Sequence, residues 1–352
     1  EKVALFDCPE SQALTNAGKP KTIRVCPHCM ERGTKEEIST RSEKYGSIPV
    51  LASYLCNEGC KPQRGERRHN DPNPVKREHF EKYDLGKIRE IEERKIPYWY
   101  PQDEFPKDFQ RWNSDLKNLE INKVSDLFSH RNNWAIALLK HKIMQFDEMK
   151  SSALMFVLSS VIYGLSNMTQ NRNRMGFLKG TYYVPPEYRI ANSWRAYIYK
   201  WRMMNNGWND INMMKSNKLL VTSESIVSIN PKISNHCDYI FTDPPYGGTV
   251  QYGELNFVWE AWMDFNTNWH QDEIIVNQTR GKTVQDWADM MREAMAECYR
   301  VLKPNRWISL CYHDTSEGTW QLLQDIMAEV GFISEDLEQA LYIDAGQKSY
   351  NQ

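Results

Sequence analysis

An apolar run, Tyr239-Ile240-Phe241, leads directly into Thr242-Asp243-Pro244-Pro245-Tyr246. This junction limits the fold more sharply than any other stretch. Two successive prolines bring no N–H to a ladder and stop a strand that reaches them. Asp243 is therefore expected at the carboxyl end of a strand, where open α/β sheets place ligands. An ionised Asp243 only accepts hydrogen bonds, and Pro244 keeps its carbonyl acceptor. Pro245 fixes its own φ and stiffens the turn. Tyr246 adds a flat face, and a base stacked on such a ring gains roughly 1–3 kcal/mol. The plain alternative is a Pro-Pro turn that Asp243 merely caps.

The surroundings favour an α/β reading. A β-type run at 219–229 comes before the motif. Behind it Trp287, Met290, Met291, Ala294, Met295, Cys298, Val301 and Leu302 recur at helical spacing. Lys303-Pro304-Asn305 reads as a helix stop and 307–312 as a strand. A last helix runs through Trp320, Leu323, Ile326, Met327 and Val330 to Gly331, a natural glycine C′ position.

Residues 219–332 resemble the amino-methyltransferase family of DNA methylases, whose catalytic motif is DPPY. Tyr299-Arg300-Val301-Leu302-Lys303-Pro304-Asn305 is similar to a late element that reads RVLKPGG in many methyltransferases, with Asn305 and Arg306 where the glycines stand. The stretch 242–262 is similar to a subgroup of adenine-specific DNA methylases that carries a zinc ribbon. The resemblance implies a Rossmann-like methyltransferase sheet, incomplete at its N-terminal strands, behind a small N-terminal zinc ribbon. It also implies S-adenosylmethionine as methyl donor and an exocyclic amino group of DNA adenine as acceptor. Asp243, Pro244, Pro245 and Tyr246 would be catalytic. Tyr252, Phe257 and Trp259 would wall the base pocket, unless they are ordinary helix core. An aromatic amine is a poor nucleophile, and gripping both its N–H bonds aims the lone pair at a donor. A base inside a duplex must first be flipped, at a cost of a few kcal/mol. Asp rather than Ser at the first motif position leans toward adenine over cytosine. RNA and protein-glutamine amides offer similar amino groups. Thr242 joins the cofactor-side candidates.

Cysteine spacing makes a second prediction. Cys26 and Cys29 form C-x2-C, and Cys56 and Cys60 form C-x3-C. Two short-spaced pairs can each grip one edge of a tetrahedral Zn²⁺, and four protein ligands close a structural site. His28 is a lesser ligand candidate, and Cys8 has no partner at motif spacing. Cys237, Cys298 and Cys311 fall in apolar patterns as buried thiols. This usage predicts a reducing, cytoplasmic compartment. No apolar run reaches membrane-span length, and no signal peptide is evident. The formal net charge of −2 excludes a generic polyanion binder, so a nucleic-acid surface must be local.

Two domains are expected: residues 1–75, with an irregular start to residue 25, the ribbon at 22–65 and a turn-rich linker at 70–75; and 76–352, with a helical, basic-aromatic insertion at 166–215. Lys61, Arg64, Arg67, Arg68, Lys76 and Arg77 follow the ribbon as a basic loop that DNA or solvent could occupy. A charged helix is expected at 84–95. In the resembled subgroup, a segment similar to Asp126–Asn132 borders the methyl donor, making Phe128, Arg131 and Asn132 cofactor-side candidates. The alternative is an N-capped helix with Trp134, Leu138 and Ile143 inward. An apolar helix follows at 151–165. In the insertion, Arg172, Arg174 and Arg195 alternate with rings such as Tyr183, Trp194 and Tyr199, a pattern suited to phosphates and stacked bases.

One family element is missing. A turn of the form F-x-G-x-G, which holds the donor in such enzymes, has no counterpart, and no two glycines are separated by one residue. In the resembled subgroup this turn precedes the ribbon. Glu1 in place of Met is then expected of a piece of a longer protein whose N-terminal segment supplies the turn; alternatively an unusual loop substitutes for it, or a second chain supplies it. The competing expectation is a DNA-binding module without catalysis.

Overall fold

A computed structural model describes residues 8–38, 48–55, 64–170, 176, 181–213, 225–229, 234–265, 267–312 and 318–334. The expectation of a mixed α/β chain holds. Among the described residues the strands form three two-stranded sheets rather than one doubly wound sheet. Two compact units emerge, one of residues 1–107, 111–215 and 257–267, the other of 108–110, 216–256 and 268–352.

The first unit opens with β1 (Glu10–Leu14) and β2 (Pro20–Arg24), an antiparallel hairpin in a segment expected to be irregular. Its alternating residues are polar or half-exposed, so no strong apolar period marked it. α1 (Pro27–Glu31) is one short turn started by Pro27. A second hairpin pairs β3 (Leu51–Leu55) with β4 (Arg64–Arg68). Asn73 then caps α2 (Pro74–His79) through Val75 N and Lys76 N. Helical backbone continues through a π turn at Phe80–Leu85 into α3 (Gly86–Glu92), so the charged helix begins earlier than expected. Arg67 grips Asp84 with two bonds of 2.7 and 2.9 Å, tying β4 to that turn.

α4 (His130–Ile143) is capped by Ser129. It turns Ile136, Ala137, Lys140 and Ile143 inward, while Leu138 is exposed, against expectation. α5 (Glu148–Ser159) stops short of the expected 165, where a separate 3-10 turn, Tyr163–Leu165, follows. α6 (Ser193–Met213) completes the series. Asn132 brackets this helical core, donating to Leu165 O at 2.7 Å and accepting from Ser193 Oγ at 3.0 Å. Lys140 is buried, donates to Trp262 O at 3.0 Å and lies 3.7 Å from the Trp99 ring centroid. Burial depresses its pKa.

The second unit holds β5 (Cys237–Thr242), the first turn of α7 (Tyr252–Met263), α8 (Val284–Val301), β6 (Leu302–Leu310) and α9 (Thr319–Val330). Thr283 and Asp286 cap α8 reciprocally. Trp287, Met291 and Met295 of α8 bury themselves against Leu323 and Ile326 of α9. α9 ends at Gly331, whose φ of 113° is open to glycine at little cost. β5 and β6 are parallel. Ile240, Thr242, Ile308 and Leu310 share one face, and Leu310 packs on the α8–α9 core. Tyr239, Phe241 and Trp307 share the other face and are exposed.

Two expectations in this unit need correction. Of the predicted strand at 219–229, the part from 225 on carries a 3-10 turn, Ile226–Ser228, and the rest lies outside the described residues. β6 begins at Leu302, before the expected 307, because Leu302 already pairs with Cys237. Between that pair and Tyr239↔Trp307 the ladder bulges, and Asn305 takes a left-handed φ of 59°. Asn tolerates this region better than most side chains. Among the described residues no helix is long and apolar enough to cross a membrane.

Candidate functional site

β5 delivers Asp243 to its carboxyl end, where the carboxylate is exposed. Cys311 N donates to Thr242 O at 2.9 Å, fastening the end of β5 to the chain just beyond β6. Pro244 is buried, and among the described residues no donor meets its carbonyl. The turn closes through Gly247 N to Pro245 O at 3.1 Å and Thr249 N to Tyr246 O at 3.1 Å. Gly247 sits at φ 52°, which its lack of Cβ permits.

The Tyr246 hydroxyl donates to Asp243 Oδ1 at 2.5 Å. That bond, more than partial burial, raises the phenol's pKa above the usual tyrosine value. The Tyr246 backbone N–H donates to the Tyr252 hydroxyl, whose own pKa is raised chiefly by burial. The Tyr246 ring stands edge-on to Tyr312, centroids 5.4 Å apart and planes at 82°. Tyr312 stacks on Trp320 at 5.8 Å and donates to Thr319 Oγ1 at 2.7 Å. One exposed carboxylate, one carbonyl that meets no donor among the described residues and three tyrosine rings thus meet at one strand end.

Behind the turn lies a buried polar cluster. Val276 N donates to Gly247 O at 3.2 Å, and Gln251 Nε2 to Gly248 O at 3.2 Å. Asn277 Nδ2 reaches Gln251 Oε1 at 2.6 Å and Glu254 Oε1 at 3.1 Å. Arg280 pairs with Glu254 and Glu273 at 3.3 Å each, its side chain fully buried. Glu273 Oε1 accepts from Gly253 N at 2.8 Å. Burial raises the Glu273 pKa, partly offset by Gly253 N–H and Arg280. Arg280 also donates to His270 O at 3.0 Å, while its buried Nε has no hydrogen-bond partner among the described residues.

Sequence reasoning missed Tyr312, Trp320 and the Arg280 cluster. A signal for Tyr312 existed. Parallel neighbours end side by side, so a residue just past β6 falls beside the residues just past β5. Arg280 carries no such mark.

The other candidates fall in the first unit or outside the described residues. Phe257 is buried on Phe105, centroids 5.3 Å apart, and Trp259 donates to Ser159 O at 2.9 Å; both belong to the first unit. Phe128 is buried edge-on to Trp262 at 5.6 Å. Arg131 is half-buried and its pKa is lowered by burial. Asn132 spends its amide on the bracket described above. Arg195 is exposed on α6, with Tyr199 and Arg202 on the same helical stripe. Arg172 and Arg174 lie outside the described residues.

Of the four metal-ligand candidates, Cys56 and Cys60 lie outside the described residues. Cys26 and Cys29 approach one another at the start of α1, and their hydrogen bond raises the Cys29 pKa. The Cys29 thiol also lies 3.7 Å from Glu36 Oε2. Among the described residues no three His, Cys, Asp or Glu side chains converge as a metal site. Two thiols at contact distance are half of the donor set a structural zinc requires.

Comparison with protein families, with curated proteins and with solved structures finds no match in any of the three.

Proposed function

We propose that this chain is the catalytic part of a DNA amino-methyltransferase, acting on adenine flipped out of the duplex. The supporting observation is the exposed Asp243 carboxylate beside the Pro244 carbonyl, which meets no donor among the described residues, at the end of a parallel strand with Tyr246, Tyr252 and Tyr312 around it. In this reading Asp243 and Pro244 O accept the two N–H bonds of the base, and an aromatic face holds its plane. S-adenosylmethionine supplies the methyl group when bound. The chain lacks a glycine-rich turn for it, so a preceding segment or a second chain completes that site. The exposed Arg195, Tyr199 and Arg202 stripe of α6 supports a DNA contact, and the cysteine pairs support a zinc ribbon in a reducing, cytoplasmic setting.

A second reading is a DNA-binding module without transfer, which the missing glycine turn favours. Methyl transfer from S-adenosylmethionine to DNA decides between them, assayed on this chain and on a longer form. Transfer that Asp243→Ala abolishes, with an unchanged circular dichroism spectrum, supports the enzyme. Salt-sensitive DNA binding with no transfer at any donor concentration supports the module.

A further inference from the structure

The Asp243 carboxylate is not waiting with both oxygens bare. Tyr246 Oη donates to its Oδ1 at 2.5 Å, and among the described residues no other side chain donates to it. A hydroxyl bonded to a carboxylate is a strong, charge-assisted contact. Its geometry is pre-set, because Pro244 and Pro245 restrict the two residues between the partners. The Tyr246 backbone is held as well, through its N–H to the Tyr252 hydroxyl. The Tyr246 ring stands edge-on to Tyr312 at 5.4 Å rather than stacked face to face on it.

We propose that the Tyr246 phenol is a removable cap on Asp243: it holds the acceptor position an incoming amino group needs, and is displaced by a ligand that offers two N–H bonds at once. This deepens the methyltransferase reading and rests on it. The exchange is selective for a chemical reason. A ligand with one donor trades one bond for another and gains little. A planar amino group also reaches the Pro244 carbonyl, so it makes two bonds where the phenol made one. A base edge that carries a carbonyl instead meets two acceptors and is repelled by both. The cap thus admits amino-bearing bases and holds its place against single-donor hydroxyls and keto bases.

Tyr246→Phe keeps the ring and removes the cap. The probes are oligonucleotide duplexes with an unpaired adenine, an unpaired purine lacking the amino group, or an unpaired hypoxanthine, with affinity read by fluorescence anisotropy. The adenine duplex is expected to bind Tyr246→Phe about tenfold more tightly than the wild type, a change of about 1.4 kcal/mol, while the other two gain nothing. Equal or weaker adenine binding overturns the cap, because the phenol then supports Asp243 while the amine uses the second carboxylate oxygen. A separate readout needs no DNA. The difference in ultraviolet phenolate titration between wild type and Tyr246→Phe isolates Tyr246, which is expected to ionise later than an ordinary tyrosine, and to return toward the ordinary value in Asp243→Asn. An ordinary titration in the wild type overturns the contact itself, whatever the enzyme does. If the titration is raised but Asp243→Asn binds the adenine duplex as well as wild type does, the base-binding reading fails and the cap's role with it.

Discussion

Gly253 lies in the first turn of α7 against the buried cluster, and adding one methyl group there tests how tightly that cluster is packed. A Cβ at this position would stand 2.5 Å from His270 Cδ2, 2.8 Å from Glu273 Oε2 and 3.2 Å from the Trp269 ring. Neither close neighbour is free to give way. His270 is buried with Nε2 at 3.1 Å from Gly253 O, and Glu273 is held by Arg280 and by Gly253 N. Overpacking of this kind costs about 1–3 kcal/mol. If the Gly253–Glu273 bond breaks, losing a hydrogen bond to a charged group adds about 1.5–3 kcal/mol. Against this, replacing glycine by alanine inside a helix gains about 0.5–1 kcal/mol. With that bond lost, Gly253→Ala is expected to lose about 2 kcal/mol or more. In urea, with a slope of about 2 kcal/mol per molar, that is a fall of about 1 M in the unfolding midpoint. Gly207 in α6 is the control, since a Cβ there meets nothing within 4 Å. Gly207→Ala is expected to stabilise by about 0.5–1 kcal/mol. A Gly253→Ala protein as stable as Gly207→Ala would refute the claim of a closely packed cluster behind the motif.

Glu273 makes a pH prediction. Its folded pKa is raised by burial, so its contribution is fully present below the ordinary glutamate value and is lost as pH rises through the folded value. The stability of wild type relative to Glu273→Gln is expected to fall as pH rises above the ordinary glutamate value, measured by urea unfolding; a rise would mean that attraction to Arg280 outweighs burial. Metal analysis of the protein prepared in zinc is expected to give about one Zn²⁺ per chain, lost on Cys26→Ser; a fully folded preparation free of metal removes the ribbon. DNA affinity is expected to fall steeply with salt, and replacing Arg172, Arg174 and Arg195 by Gln to flatten that slope by up to about three. An unchanged slope moves the DNA face elsewhere.

Sequence periodicity revealed most where burial was one-sided. α8 was legible because Trp287, Met291, Ala294, Met295, Cys298 and Val301 face a single core, and the structure buries all six. β5 and the proline stop were legible because Pro244 and Pro245 leave the chain few alternatives. The β1–β2 hairpin was not, since its residues are mostly polar and at best half-buried, which leaves no apolar rhythm to read. Leu138 was misread as inward because Lys140, a charged residue, takes a buried place on α4 that periodicity reserves for apolar side chains. In the site, Asp243 and Tyr246 stood out by type and spacing, and their mutual bond is local enough to have been foreseen. Tyr312 and Arg280 were hidden because they reach the motif through folding, across Leu310↔Thr242 and across Asn277 and Glu254.

The parallel pairing of β5 with β6 also sets an order of events. The hairpins of the first unit join neighbouring residues and can close in microseconds. Tyr239 must instead find Trp307, with α8 formed in between, and such distant pairings are slow. A chain emerging from the ribosome therefore carries the Asp-Pro-Pro-Tyr tetrad before the tyrosine it leans on has been synthesised, and this strand end is assembled only once Tyr312 has followed.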